Sequence, residues 1–375
     1  MYILKKILIF LVLFFLIIPI SYAQNNNKII EEQQKDFGIY DFINATKEYA
    51  GDFFDDENLN IQNIFNNSIQ GQVDNASIGK KILNLFEKEF VNSLKSIVII
   101  LVIIVIHTIL KSVSDSLENN EISKLIYYVQ YILIVTIIMT NFSEVLKMVK
   151  NTVTDLVAFM NMLVPILITL MMYTGSIVTS SVIEPIILFM INFIGNILQN
   201  IIIPLVLVIA SLIIISKLSD RVQIDRISKL LKSGVVWVLG TILTIFVGVV
   251  SLEGTLSSSV DGITAKTTKA IVSSAIPVVG KILSDSVDTV LGCGIVLKNA
   301  VGMVGVIVII GIVIMPIIKL STITIAYKVL TALVEPIAEK NITVLLEQIS
   351  DVFKIFLAIL FAISFMIIIR NSINS

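Results

Sequence analysis

Residues 299–318 read NAVGMVGVIVIIGIVIMPII, a stretch without a charged side chain. A helix needs about 20 apolar residues to cross the roughly 30 Å hydrocarbon core of a membrane, where every backbone polar group must be paired within the protein. This stretch therefore predicts a membrane-spanning helix. Comparable runs occupy 96–110, 125–142, 156–174, 201–216, 235–252 and 355–369, and two further segments cover 182–198 and 320–334. We expect an all-α, polytopic membrane protein with seven to nine crossings and no strands.

The composition of the 375 residues supports this class, with 56% hydrophobic and only 15% charged residues. Soluble proteins carry about 25% charged residues. The 27 Lys and Arg residues nearly balance the 28 Asp and Glu residues, so no overall charge favours binding to nucleic acid. With Cys293 as the single cysteine and His107 as the single histidine, an intramolecular disulfide and the usual zinc sites are excluded.

The chain divides into three parts. Residues 1–23 have the order of a secretory signal peptide, with two lysines, an apolar run and the small-residue ending Ser21-Tyr22-Ala23, although an uncleaved anchor helix is the alternative. Residues 24–95 carry 12 acidic and 7 basic side chains, a net charge of −5, and are expected to form a small extracytoplasmic head of short helices. Residues 96–375 form the polytopic domain.

The end of the head contains an amphipathic pattern, with apolar residues at helical spacing from Ile82 to Leu94. Such a helix is expected to lie along the membrane surface and lead into the first span. A face for binding a partner protein is the alternative.

Lysine and arginine counts predict the orientation of the loops. The polar break at 217–232 has a net charge of +3 and is expected in the cytoplasm. The break at 335–354 has a net charge of −2 and is expected outside. Arg370 predicts a cytoplasmic C-terminus.

Two proline pairs recur at an offset of 112 residues: Pro165 with Pro277, and Pro204 with Pro316. This offset suggests that about 160–252 and 272–366 are divergent copies, although prolines can coincide by chance. Because the polar breaks of the two halves differ in charge, we expect an inverted repeat of the kind found in secondary transporters.

The segment 272–302 is rich in small residues and combines charge with an apolar background. Small residues permit close backbone packing, and a charge at membrane depth must face protein or water. A re-entrant or broken helix lining a cavity meets both needs, and a surface helix joining two spans is the alternative. The candidate pore or packing residues here are Pro277, Gly280, Lys281, Asp285, Asp288 and Gly292.

Three other side chains are candidates outside these positions. Glu184, before Pro185, is either a carboxylate at membrane depth or a helix cap at the interface. His107 is expected at the interface, and Cys293 is expected to be a small packing residue. With no catalytic set, metal-ligand spacing or phosphate-binding glycine loop, we predict no enzyme activity and no cofactor.

The motifs AIPVVG (275–280), DTVLGC (288–293) and LKNAVG (297–302), with Ser284-Asp285 between the first two, resemble the signature of the stage III sporulation protein AE family. The signal peptide, polar head and polytopic tail are also similar to that family, so the resemblance covers essentially the whole chain.

This resemblance implies a role in endospore formation. The family member is made in the mother cell and lies in the outer membrane around the engulfed forespore. Its implied partners are the other proteins of the stage III sporulation AA to AH complex and the forespore protein Q. The resemblance implies no catalytic residues.

Two functions follow as expectations. The first is a membrane subunit of this channel or secretion-like complex, embedded in the lipid bilayer and able to form homo-oligomers. The second is a permease that moves a small solute or ion through broken helices, with Glu184, Lys281 and Asp285 as contacts.

Overall fold

A computed structural model describes residues 34–35, 37–54, 61–69, 75–116, 120–218, 224–256 and 280–374. These residues are helical or in short turns, with no strand among them, which confirms the all-α class. The predicted signal peptide lies outside the described residues. The helices are α1 Ile39–Phe54, α2 Ile61–Ile69, α3 Asn75–Ser116, α4 Asn120–Tyr173, α5 Glu184–Ile197, α6 Ile203–Leu218, α7 Asp225–Leu256, α8 Gly280–Val334 and α9 Lys340–Asn374.

Six helical runs in the described part of the chain are long and apolar enough to cross a membrane, fewer than the seven to nine expected. Three pairs of predicted spans merge. Runs 125–142 and 156–174 both belong to α4, and 299–318 and 320–334 both belong to α8. The remaining pair, 182–198 and 201–216, lies on the continuous helical run Thr179–Leu218.

Helix α4 continues through its polar centre, residues 143–155, because that stretch contains neither glycine nor proline and keeps an apolar stripe. Val145, Val149 and Val153 recur every four residues and are completely buried. Side chains between them, such as Lys147 and Lys150, are exposed. A helix with this period buries one face without needing a break.

Helix α8 is the centre of the bundle. Every residue from Ala300 to Ile314 is buried, as expected for a helix that is apolar on all sides. It forms an antiparallel hairpin with α9, and it also contacts α1, α2, α3 and α4. The expected re-entrant break is therefore wrong for residues 280–302, which are the continuous first half of α8.

The C-terminal ends of α3, α6 and α8 and the N-terminal ends of α4, α7 and α9 meet at one end of the bundle, called here the charged end. Lys111 near the end of α3 pairs with Glu339 in the turn before α9 at 2.6 Å. Tyr127 of α4 donates a hydrogen bond to the carbonyl of Lys217 at 3.1 Å, and Lys217 pairs with Asp225 at 2.6 Å.

This arrangement corrects the expected inverted repeat. Lys232, in the break predicted inside, lies 2.6 Å from Asp351, in the break predicted outside. Since the two breaks touch, they lie at the same end of the bundle. The prediction that the two copies have opposite orientations in the membrane is therefore wrong. The repeat itself stays a prediction, and its two copies would have to run in the same direction. Pro316 lies within an unbroken helix, and Pro277 lies outside the described residues.

The head region is attached to the bundle. Phe42 of α1 lies 6.2 Å from Phe159 of α4 between ring centroids, and Phe37 lies 5.1 Å from Tyr173. Helix α2 contacts α8. The amphipathic stretch 82–94 does not turn onto a surface, because it is part of the unbroken helix α3 that continues into the first span.

Candidate functional site: a buried ion pair between α5 and α9

Pro185 and Pro204 each follow one π turn, Thr179–Ile183 and Leu198–Ile202 respectively. A proline ring clashes with the carbonyl four residues earlier and offers no N–H. The wider π turn accommodates the ring, and the N–H of Glu184 bonds to the carbonyl five residues before it. Single π turns occur frequently at functional sites. The π turn Thr179–Ile183 places Glu184 at the start of α5.

Glu184 is completely buried, and Arg370 near the end of α9 is its partner. The Nη2 group of Arg370 donates a hydrogen bond to Oε2 of Glu184, and both side chains are 0% exposed. Burial removes the hydration of both charges, and removing one partner of such a pair commonly costs about 3–5 kcal/mol. The two charges therefore require each other in the core.

Glycines on α8 make room for the end of α9. Asn371 donates a hydrogen bond from Nδ2 to the carbonyl of Gly302 at 2.6 Å. A Cβ atom at Gly305 would lie 2.8 Å from that Nδ2 and 2.9 Å from Cδ2 of Leu163 on α4. The absence of a side chain at Gly305 thus lets α9 lie against α8 where Arg370 reaches Glu184.

A second cation lies beside this pair. Lys298 is four residues before Gly302 and on the same face of α8. It is half-buried and close enough to Glu184 for their charges to interact. The described residues thus bring two cations and one carboxylate together, which leaves a net positive centre.

Several polar atoms at this centre have no hydrogen-bond partner among the described residues. They are Nε and Nη1 of Arg370 and Oδ1 of Asn371, all buried. An arginine carries five N–H donors, and each buried donor left unpaired is unfavourable by about 1–3 kcal/mol. The site therefore has unused donors directed into the protein interior.

The structure separates the predicted site residues into two groups. Glu184 lies in the buried centre and is the first residue of α5, directly before Pro185, so its assignment to membrane depth or to a helix entry at the interface stays a prediction. Lys281, Asp285 and Asp288 lie on the first part of α8, where the side chains are outside the described residues. Asp288 precedes Lys298 by ten positions, or about 15 Å along the helix axis.

The remaining candidates have simpler surroundings. Pro277 lies outside the described residues, Gly280 is the first residue of α8, and nothing lies within 4 Å of a Cβ built at Gly292. Cys293 is buried. His107 is buried too, with Nε2 3.7 Å from Oε1 of Glu339. No cluster of three or more metal-ligating side chains occurs among the residues that the structure describes.

Arg370, Asn371 and Lys298 were not predicted as site residues. The arginine was assigned to a terminal loop because it follows the last apolar run. The sequence does contain a signal for this pair. Arg370 is a lone cation directly after the 15 apolar or small residues 355–369, and Glu184 is a lone carboxylate in another apolar region. Charges at membrane depth pair with one another, so this match could have been proposed.

Comparisons with known proteins agree with the family resemblance of the motifs within 275–302. The sequence profile described as Stage III sporulation protein AE matches residues 59–374. The Stage III sporulation protein AE of Bacillus subtilis (strain 168) is 30% identical over 242 residues, which are 64% of this chain and 61% of that protein. This match spans less than two thirds of the relative's length. No solved structure matches the chain. The profile covers most of the polytopic body and the buried centre, and the chain belongs to the stage III sporulation protein AE family.

Proposed function

We propose that this chain is a membrane subunit of the channel or secretion-like complex between mother cell and forespore, in the outer forespore membrane. Its partners are then the other stage III sporulation AA to AH proteins and the forespore protein Q. Membership of the sporulation family over residues 59–374 is the observation that carries this proposal. The six long apolar helices support a permanent place in a membrane.

The distribution of charge supports an orientation in which the charged end faces the cytoplasm, since lysine and arginine accumulate in short cytoplasmic loops. Basic residues at this end include Lys111, Lys124, Lys217, Arg226, Lys229 and Lys340. The turn 174–178 at the opposite end contains no charge. Six crossings then put the head and the end of α9 together outside the cytoplasm. Arg370, buried against Glu184, no longer argues for a cytoplasmic C-terminus.

Co-purification tests complex membership. An epitope-tagged chain isolated from sporulating cells is expected to bring with it the AG or AH proteins of the complex. A second membrane protein from the same cells, tagged in the same way, is the control for detergent-driven association. Recovery of the chain alone, at normal levels and in its native membrane, would contradict the proposal.

A permease is the second candidate function, and the buried Glu184–Arg370 centre favours it. Ionisable residues in the interior of a membrane bundle often mark the path of a solute or ion. Under this function Asp285→Asn and the double variant Glu184→Met/Arg370→Met, which leaves no lone buried charge, each block spore maturation while protein levels and co-purification stay normal. Lys319→Gln, on the partly exposed side of α8, is the matched control. Normal maturation in both test variants would remove the permease function.

A further inference from the structure

We propose that Arg370 and Lys298 form a binding site for a small oxyanion of the carboxylate or phosphate type, inside the bundle between α8 and α9. Nothing in this proposal depends on membership of the complex, because it follows from the chemistry of the buried centre alone.

The donor geometry of Arg370 is the first argument. Its side chain is 0% exposed, and Nη2 is the group that bonds to Glu184. Nε and Nη1 have no acceptor among the described residues. A guanidinium group binds carboxylate and phosphate through two adjacent N–H donors. Glu184 thus holds the guanidinium through Nη2, an atom common to both of its two-donor edges, and leaves the Nε–H and Nη1–H groups as separate donors without an acceptor.

The balance of charge is the second argument. Glu184 neutralises one of the two cations, and Lys298 adds a second positive charge on the neighbouring helix. Lys298 is half-buried, so its charge is only partly hydrated, and a partly desolvated charge without a counter-ion is unfavourable. One bound anion would neutralise the centre and would accept the unused N–H groups at the same time.

Asn371 narrows the class of anion. Its Nδ2 group is bonded to Gly302, whereas its Oδ1 atom is a buried acceptor without a partner among the described residues. Oδ1 can accept a hydrogen bond from an acid O–H group, such as that of hydrogen phosphate. A halide and an ionised carboxylate offer no such donor, so the site favours hydrogen phosphate, and a carboxylate would be bound by the two cations alone.

The position on α9 also suits a ligand from the aqueous side. Arg370 lies four residues, or about 6 Å along the axis, before the end of the helix. The α8–α9 turn lies at the charged end of the bundle. A free anion therefore has a shorter route to Arg370 from the opposite end than from the charged end.

Direct binding to the purified full chain tests the proposal. Phosphate, acetate and chloride are titrated as sodium salts at constant ionic strength into protein held in phospholipid-free detergent, and binding is followed by calorimetry and thermal unfolding. We expect saturable stabilisation by phosphate or acetate at concentrations where chloride has no effect. A response to all three salts alike, or to none, would overturn the proposal.

Two variants place the binding at this centre. Lys298→Gln removes the second cation without breaking the Glu184–Arg370 pair, and it is expected to weaken binding about tenfold or more, as for the loss of a charge-assisted hydrogen bond. The double variant Glu184→Met/Arg370→Met removes the pair without leaving a lone charge and should abolish binding. Lys319→Gln, another α8 lysine that pairs with Glu144, is the control. Equal affinity in Lys298→Gln and Lys319→Gln would contradict the assignment.

The source of the anion is tested by repeating the titration in nanodiscs. A free oxyanion should bind equally in zwitterionic and anionic lipid. If anionic phospholipid alone stabilises the protein, and free phosphate and acetate fail in detergent, the ligand is a lipid headgroup and the interior site is wrong.

Discussion

Lys232 of α7 and Asp351 of α9 are joined by a 2.6 Å ion pair, and each residue follows the start of its helix by less than four turns. The pair holds the N-terminal parts of both helices together at the charged end of the bundle. Since Asp351 also contacts Lys354, this end of the bundle is held by a small charge network. The relative direction of α7 and α9 is therefore supported by contacts between the helices.

Cysteine labelling tests this arrangement. In a Cys293→Ala background, Leu218→Cys and Ile337→Cys should react with an impermeant thiol reagent from the same side of the membrane. Ile177→Cys, in the turn region before α5, should react from the other side. All three positions are between 42% and 48% exposed, so access to reagent is comparable. Labelling of Leu218→Cys and Ile337→Cys from opposite sides would restore the inverted repeat.

The Glu184–Arg370 pair gives the second prediction. Glu184→Ala and Arg370→Ala should each lower the free energy of unfolding by about 3–5 kcal/mol, because each leaves a lone buried charge. The double variant Glu184→Met/Arg370→Met should be close to the wild type. Thermal unfolding in detergent measures all three. Additive losses in a double-alanine variant would show that the two side chains do not interact.

Gly305 gives the third prediction, which concerns the packing of α9 against α8. Gly305→Ala places a methyl group under 3 Å from Asn371 and Leu163, so α9 must move away from α8. We expect a loss of about 1–3 kcal/mol in unfolding free energy, as for other overpacked cores. Gly240→Ala on α7 is the matched control, since nothing lies within 4 Å of its Cβ position and alanine favours a helix by up to about 1 kcal/mol. Equal melting temperatures of the two variants would contradict the close approach.

The fourth prediction concerns the head. Phe42 is 1% exposed against Phe159, so Phe42→Ala should reduce stability by about 3–5 kcal/mol and expose α1 to protease. Tyr40→Ala on the same helix, where the side chain is 43% exposed, should leave both properties unchanged. Deleting residues 24–80 should likewise destabilise the membrane body, in contrast to removal of an independent docking domain. Unchanged melting of the Phe42 variant would show that the head is separate.

Apolar runs were enough to predict the helical class, and the number of helices was missed for a physical reason. Residues 143–155 of α4 were interpreted as a loop from their polarity, yet Val145, Val149 and Val153 follow the 3.6-residue period that keeps a helix intact. The run 179–218 was divided into 182–198 and 201–216, whereas the π turn Leu198–Ile202 continues the helix across that boundary.

For the candidate site, Glu184 could be selected because a carboxylate between apolar runs is rarely placed without a partner. Its partner, 186 positions away, required the tertiary structure. Loop counting treated Arg370 as a topological marker, whereas its environment makes it a core residue. Long-range pairing of single charges is therefore the information that local patterns omit.

Helices α4 and α8 contain 54 and 55 residues, which corresponds to roughly 80 Å measured along each helix. Membrane helices tilt by about 20° on average, so a 30 Å hydrocarbon core holds less than half of such a helix. The remainder must extend into the water on one or both faces. In addition to its crossings, this protein therefore has helical segments that project from the bilayer.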